Sequence, residues 1–210
     1  MKQLIQKSVL GLALVAGVAG LSGCFPLMLG GAVTTVMVAS DRRTSGTVLE
    51  DNGIQLKASN RISDSLGERG HVNVTAYSRQ VLLTGEVPSE QDKQLVEKIA
   101  ANVDNVRSVL NELAVMGNST LGQRSSDALV TSRVKANLVD AKDLYANAFK
   151  VTTERGTVYL MGRVTKREAD RATEVVTATS GVQKLVRILE FISEDELIRL
   201  MQQPPDAKTQ

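Results

Sequence analysis

One block of residues occurs twice in this chain, and the repetition constrains the fold more than any other feature. Val74-Thr75, Val81, Leu83, Gly85 and Val87 return 77 positions later as Val151-Thr152, Val158, Leu160, Gly162 and Val164. Glu97 and Ala101 return as Glu174 and Ala178, and Val106 matches Val182 after a one-residue adjustment. Upstream, Arg61 and Leu66 match Arg133 and Leu138 once about five residues are allowed as an insertion in the second copy. Each copy is therefore one fold unit of roughly 70 residues, a size at which a single core is only marginally stabilising. That size is compatible with two like units packed together, and the sequence leaves open whether they pack rigidly.

Both copies carry the same order of patterns. The first segment is helical, with Ala58, Ile62 and Leu66, then Val130, Val134 and Leu138, at four-residue spacing on one face. Ser125, Ser126 or Asp127 is the expected cap of the second of these helices. Two alternating strands follow, Val72-Val74-Ala76 with Val81-Leu83-Gly85-Val87, and Phe149-Val151-Thr153 with Val158-Leu160-Gly162-Val164. Arg155-Gly156 offers a turn with room for positive φ, and Ser78-Arg79 holds the same place in the first copy. A second helix is predicted over 89–103 and about 166–179, with Pro88 at the mouth of the first, and a closing strand over 106–115 and 182–192. The fold class is α+β. Each unit has the order αββαβ, a three-stranded sheet with two helices on one face.

Gly85 and Gly162 lie on the apolar side of their strands between large residues. Glycine weakens a strand, so the expected reason for both is structural: close approach of a helix across the sheet.

The N-terminus has a different character. Lys2 and Lys7 precede an apolar stretch from Val9 to Leu21, and small residues follow, the tripartite pattern of an export signal. The stretch is short for a membrane span, and Gly11, Gly17, Gly20 and Gly23 each weaken a helix there by about 1 kcal/mol. Leu21-Ser22-Gly23-Cys24 resembles a lipobox, the processing sequence of bacterial lipoproteins. That resemblance implies cleavage before Cys24 and covalent acyl and diacylglycerol lipid on it. Phe25 follows where an inner-membrane-retained lipoprotein usually carries aspartate, so the sorting rule points to the outer membrane. Cys24 is the only cysteine, so no internal disulfide can form and stability must come from packed cores.

Removing residues 1–23 takes two lysines and no acid, so the formal net charge of +2 falls to a neutral mature chain. The neutrality averages unlike parts: residues 46–117 carry 7 basic and 10 acidic groups, residues 118–193 carry 12 and 8. Aromatic residues make up 3% of the chain, so neither charge nor stacking capacity suits nucleic acid. There is no phosphate loop, zinc-protease helix or nucleophile elbow, and the chain reads as a non-enzyme without a cofactor. His71, the only histidine, starts a strand with no carboxylate at a metal-ligand spacing, so a surface position and no metal are expected. Glu90, Asp92 and Glu97 read as solvated helix charges.

On the first helix of the second copy, the helical angle puts Leu129 opposite the core positions, beside Arg133 and Ala136. An apolar side chain next to a base on an outward face suits a lipid interface. Lys135 is a further basic candidate, with Lys142 and Arg124 as supporting charges. A surface leucine or a contact against the first unit would also account for Leu129.

The repeated V-x-L-x-G-x-V strand, the helix after it and the valine-rich closing strand resemble the BON domain. With the lipobox, the Asp41-Arg42-Arg43-Thr44-Ser45-Gly46-Thr47 stretch and two tandem units, the chain is similar to the dual-BON outer-membrane lipoproteins over residues 1–193. The resemblance implies outer-membrane attachment facing the periplasm, binding of anionic phospholipid, a role in keeping that membrane intact, and no enzyme activity. In the family the position of Leu129 favours an aromatic anchor, and this chain has no tryptophan at all. The resulting division is a signal peptide over 1–23, a lipidated N-terminus and linker over 24–45, BON units over 46–117 and 118–193, and a tail over 194–210. A second class of function, an adaptor that docks outer-membrane assembly proteins or cell-wall machinery, is left open by the acidic first unit and the tail. Asp195 to Met201 is a short candidate interaction helix, marginal on its own.

Overall fold

The computed structural model describes residues 41–202. The Leu21–Cys24 motif, the rest of the export signal and Pro204-Pro205 lie outside the described residues. Among those described, no helix is long and apolar enough to cross a membrane.

The first unit runs α1 (Ser45–Leu66), β1 (His71–Tyr77), β2 (Gln80–Val87), α2 (Glu90–Ala101), β3 (Ser108–Asn111) and β4 (Ala114–Val115). The second runs α3 (Leu121–Asp140), β5 (Phe149–Glu154), β6 (Thr157–Val164), α4 (Lys166–Thr177) and β7 (Lys184–Phe191), and α5 (Glu194–Gln202) follows. In each sheet the middle strand pairs antiparallel with its hairpin partner and parallel with the closing strand. The parallel pairing follows from the helix between them, which carries the chain back across the sheet. In the first unit the closing strand is split. Asn111 turns its Oδ1 to accept the Leu113 N–H at 3.2 Å, and Leu113 is buried in the core instead of continuing the ladder.

Helix spacing decides the cores. Ile54, Ala58, Ile62 and Leu66 of α1 bury against Val81, Leu83 and Val87, and Val130, Val134 and Leu138 of α3 against Val158, Leu160 and Val164. Each fully buried side chain of this kind contributes about 1.5–3 kcal/mol. Helix starts are set by hydroxyl caps. Thr44 caps α1, Ser89 caps α2, and Thr165 with Glu168 forms a capping box on α4. The α3 helix starts earlier than expected: Thr120 with Gln123 forms its capping box, so Ser125, Ser126 and Asp127 lie within the helix.

Asp127 and its counterpart Asp51 have another use. Asp51 accepts the N–H groups of Ser78 and Arg79 at 2.7 Å each, and Asp127 accepts those of Arg155 and Gly156 at 2.8 and 2.9 Å. These four residues are the hairpin turns, and all have positive φ. A buried carboxylate on the first helix thus fastens the turn of each sheet, offsetting the left-handed strain of Ser78, Arg79 and Arg155. Asp51→Ala is expected to cost about 2–3 kcal/mol in chemical unfolding, through two lost charge-assisted bonds to backbone.

The reverse faces of the sheets meet each other. Tyr77 and Leu82 from the first unit, with Tyr159, Met161 and Ile188 from the second, form a third buried cluster. The units are therefore packed sheet to sheet, which explains why Val81 to Val87 is buried on both faces of its strand. Thr75 and Thr152, one repeat apart, face each other across the interface with hydroxyls at 3.4 Å, so the packing is isologous.

Residues just before α1 clasp both units. Arg42 forms a bidentate pair with Glu168 at 2.6 and 2.7 Å and donates to the Arg163 carbonyl at 3.0 Å. Arg43 pairs with Asp51 at 2.6 Å and with Asp41 at 2.7 Å, and its guanidinium lies 4.2 Å from the centre of the Tyr77 ring. The tail is also docked: Leu197 is buried and Glu196 pairs with Arg163.

Gly85 and Gly162 are places of close approach, but by a strand and not by a helix. A Cβ on Gly85 would lie 2.0 Å from the His71 carbonyl oxygen of β1, at φ 115°. On Gly162 it would lie 2.6 Å from the Ala148 carbonyl, at the entrance to β5.

Candidate functional site

The outward face of α3 gathers apolar side chains. Leu129 is 59% exposed, and Leu121 and Val139 are 80% and 66% exposed. At about 100° per residue, Leu121 and Val139 lie five turns apart on the same side, each roughly 80° around the axis from Leu129. Ala128, Ser132 and Ala136, also exposed, fill the surface between them. Leu121 and Val139 were not singled out by sequence, although their eighteen-residue spacing is a whole number of helical turns.

The basic candidates divide by position. Arg133 is exposed one turn after Leu129, and its guanidinium passes near Gly181, where an added Cβ would lie 3.7 Å from it. Lys135 is exposed on the other flank of the apolar stripe, and Lys142 is exposed in the loop after the helix. Arg124 lies three turns before Lys135 on the same side of α3, but it is half-buried: it donates to the Ser119 hydroxyl and carbonyl at 3.1 and 3.0 Å and lines a groove together with Ala128 and Ser132.

That groove, about 600 Å³, runs between β1 and the second unit and is lined in part by His71, Asn73, Thr131, Ser132 and Glu154. His71 is not a free surface residue. Its Nδ1 is 3.3 Å from Glu86 Oε2, and its side chain is only 20% exposed. Glu86 is wholly buried and also accepts the Ser119 N–H and the Arg155 guanidinium, at 3.2 and 2.8 Å. Burial pushes the Glu86 carboxyl up, but the Ser119 donors, Arg155 and His71 outweigh this and hold it below the usual carboxylate range. Glu154 is buried as well and accepts one bond from the Asn73 amide at 2.9 Å. Burial, with the Glu86 charge adding to it, raises its carboxyl despite that bond.

Of the acids read as solvated, Asp92 is largely buried. It accepts from Ser89 at 2.6 Å and from Arg69 at 2.9 Å, which makes it part of the α2 cap. Glu97 accepts from Asn111 at 2.9 Å and Glu90 is exposed.

Comparison with known proteins agrees with the repeat. The BON domain model matches residues 50–117 and again 126–191. The outer membrane lipoprotein DolP of Haemophilus influenzae is 32% identical over 174 residues, covering 82% of this chain and 90% of that protein. A 21 kDa hemolysin of Actinobacillus pleuropneumoniae is 30% identical, covering 72% and 79% of the two chains. The osmotically-inducible protein Y of Escherichia coli K12 is 27% identical, covering 70% and 76%. With both units matched, the sheets and helices in the order that the repeat implies, and similarity to full-length relatives on this scale, the chain belongs to the BON-domain family as a dual-BON protein of the DolP type.

Proposed function

We propose that this protein is an outer-membrane lipoprotein facing the periplasm, lipid-anchored through Cys24, whose second BON unit binds anionic phospholipid through the outward face of α3 and so helps to keep the membrane intact. The observation that carries this reading is the exposed stripe of Leu121, Leu129 and Val139 with Arg133 and Lys135 on its two flanks. Apolar side chains on such a face enter the acyl boundary while the bases meet phosphate. Each base near an anionic surface contributes about 1 kcal/mol, an attraction that fades within a Debye length. The acyl chains would supply the strong anchor and raise the local concentration of the unit at the surface, so that a weak contact suffices.

The test is sedimentation of the unlipidated Cys24→Ser mature chain with neutral or anionic vesicles. Binding is expected only to the anionic vesicles, falling with salt, and weakened at least tenfold in Leu129→Glu, which removes the exposed leucine that would enter the acyl boundary and adds a repelled charge. Absence of binding to either vesicle would refute the lipid reading. The adaptor reading, with outer-membrane assembly proteins or cell-wall machinery as partners, would then take its place. It is favoured by α5, docked through Leu197 with Ile198 and Met201 left half-exposed.

A further inference from the structure

The groove beside β1 ends on three groups with the chemistry of metal ligands. His71, Glu86 and Glu154 each offer one ligand atom, and these atoms all lie within 4.8 Å of one another. We propose that they form a divalent transition-metal site, for Zn²⁺ or an ion of similar preference, that pins the first BON unit to the second.

The donor set is one imidazole nitrogen and two carboxylate oxygens, which suits Zn²⁺ and its neighbours better than Ca²⁺ or Mg²⁺, since those prefer oxygen alone. Zinc bonds of 2.0–2.1 Å in a tetrahedron put neighbouring ligand atoms about 3.3 Å apart. His71 Nδ1 and Glu86 Oε2 already stand at 3.3 Å. Glu154, within 4.8 Å of both, has to come closer by about 1.5 Å at most, and it lies beside the groove. The groove also gives an ion its entry path and leaves a coordination position for water.

Neighbouring groups hold the ligands as an outer shell does. Arg155 fixes the other Glu86 oxygen, the Ser119 N–H steadies Oε2, and the Asn73 amide orients Glu154. Arg155 balances one of the two buried carboxylates, and a second buried carboxylate beside it calls for another cation. His71 and Glu86 come from the first unit and Glu154 from the second, so an ion here would bond across the interface.

The experiment uses the Cys24→Ser mature chain, which has no thiol to bind metal adventitiously. Titration with Co²⁺ is expected to give visible absorption that saturates at one equivalent and is displaced by Zn²⁺, and Zn²⁺ should raise the midpoint of thermal unfolding. In His71→Ala and in Glu154→Gln the affinity should fall at least tenfold, while Glu97→Gln, remote from the groove, should bind as the parent does. His71 is partly exposed, so its replacement should leave the fold intact, and a metal-free melting curve checks this. No saturable binding of either ion, or equal binding by a folded His71→Ala, would overturn the proposal.

Discussion

Gly85→Ala is expected to destabilise the protein by about 3–5 kcal/mol, a large part of what a domain of this size has to lose. Two effects combine. The backbone at Gly85 has φ 115°, a region that costs a residue with a Cβ roughly 1–3 kcal/mol. The new methyl would also stand 2.0 Å from the His71 carbonyl oxygen and 3.4 Å from the Val72 Cα, both backbone atoms of the paired strand. No side chain can rotate away to relieve that overlap, so β1 must move and its register with β2 must loosen. Gly162→Ala meets a carbonyl at 2.6 Å without a positive φ and should cost about 1–3 kcal/mol. Gly53→Ala supplies the opposite sign: it lies within α1 with nothing within 4 Å of an added Cβ, and should gain about 0.5–1 kcal/mol. Urea unfolding of the three variants checks the ranking; a Gly85→Ala as stable as Gly53→Ala would show that the strand pair is not closed at this point.

The contrast between these glycines marks where the sequence was legible. The spacing of Val81, Leu83, Gly85 and Val87 locates the strand and its core face, because period-two burial is a local property written in consecutive residues. What presses on Gly85 belongs to the pairing of β1 with β2, and the identity of that neighbour is not encoded at the glycine. The start of α3 differs from the sequence expectation for a similar reason. Ser125, Ser126 and Asp127 are all good caps by residue type, but Thr120 and Gln123 satisfy each other reciprocally and start the helix sooner. Asp127 is then free to fasten the hairpin turn, a duty that Asp51 repeats.

On the candidate lipid face, Leu129 and Arg133 could be placed from helical angle alone, since exposure of a helix face opposite its core stripe is also local. The partial burial of Arg124 could not, because its partner Ser119 lies before the helix and holds the side chain there. The sheet-to-sheet packing and the His71 cluster lie furthest from local pattern. Tyr77, Leu82, Tyr159 and Met161 look like ordinary outward positions of their strands until the second sheet covers them. Glu154 reaches His71 and Glu86 only because the two units pack in the isologous arrangement centred near Thr75 and Thr152.

Arg42→Ala is the second large effect, and its pH dependence identifies the cause. Glu168 is 1% exposed, and among the described residues removal of Arg42 leaves its carboxylate with the hydrogen bond from the Thr165 N–H at 3.0 Å. Breaking a buried pair in this way costs about 3–5 kcal/mol near neutral pH. In the intact protein burial pushes the Glu168 carboxyl up, but the Arg42 guanidinium and the Thr165 N–H outweigh it and hold the group below its ordinary 4.5. A folded value below the unfolded one means stability that is fully present above about pH 4.5 and is lost as the pH falls through the folded value. Without Arg42 the burial effect is opposed by the N–H and the Arg167 charge alone among the causes that act on Glu168, the folded value moves upward, and the variant escapes part of its penalty by protonating. The gap between parent and variant should therefore be widest at pH 7 and shrink as the pH falls through the raised folded value of the variant towards the lowered one of the parent. Glu86 and Asp92 are also held low, so the parent loses stability in acid through them as well; both proteins share that loss, and the difference isolates Glu168. Chemical unfolding of parent and variant from pH 7 to pH 3 measures it. A gap that stays constant across that range would assign the cost of Arg42→Ala to lost packing against Tyr145 and the Arg163 carbonyl, and not to the buried charge. The double variant Arg42→Met, Glu168→Met should recover much of the loss at neutral pH, short of the Thr165 N–H that it leaves unpaired, because two apolar side chains of similar volume need no counter-charge in that position.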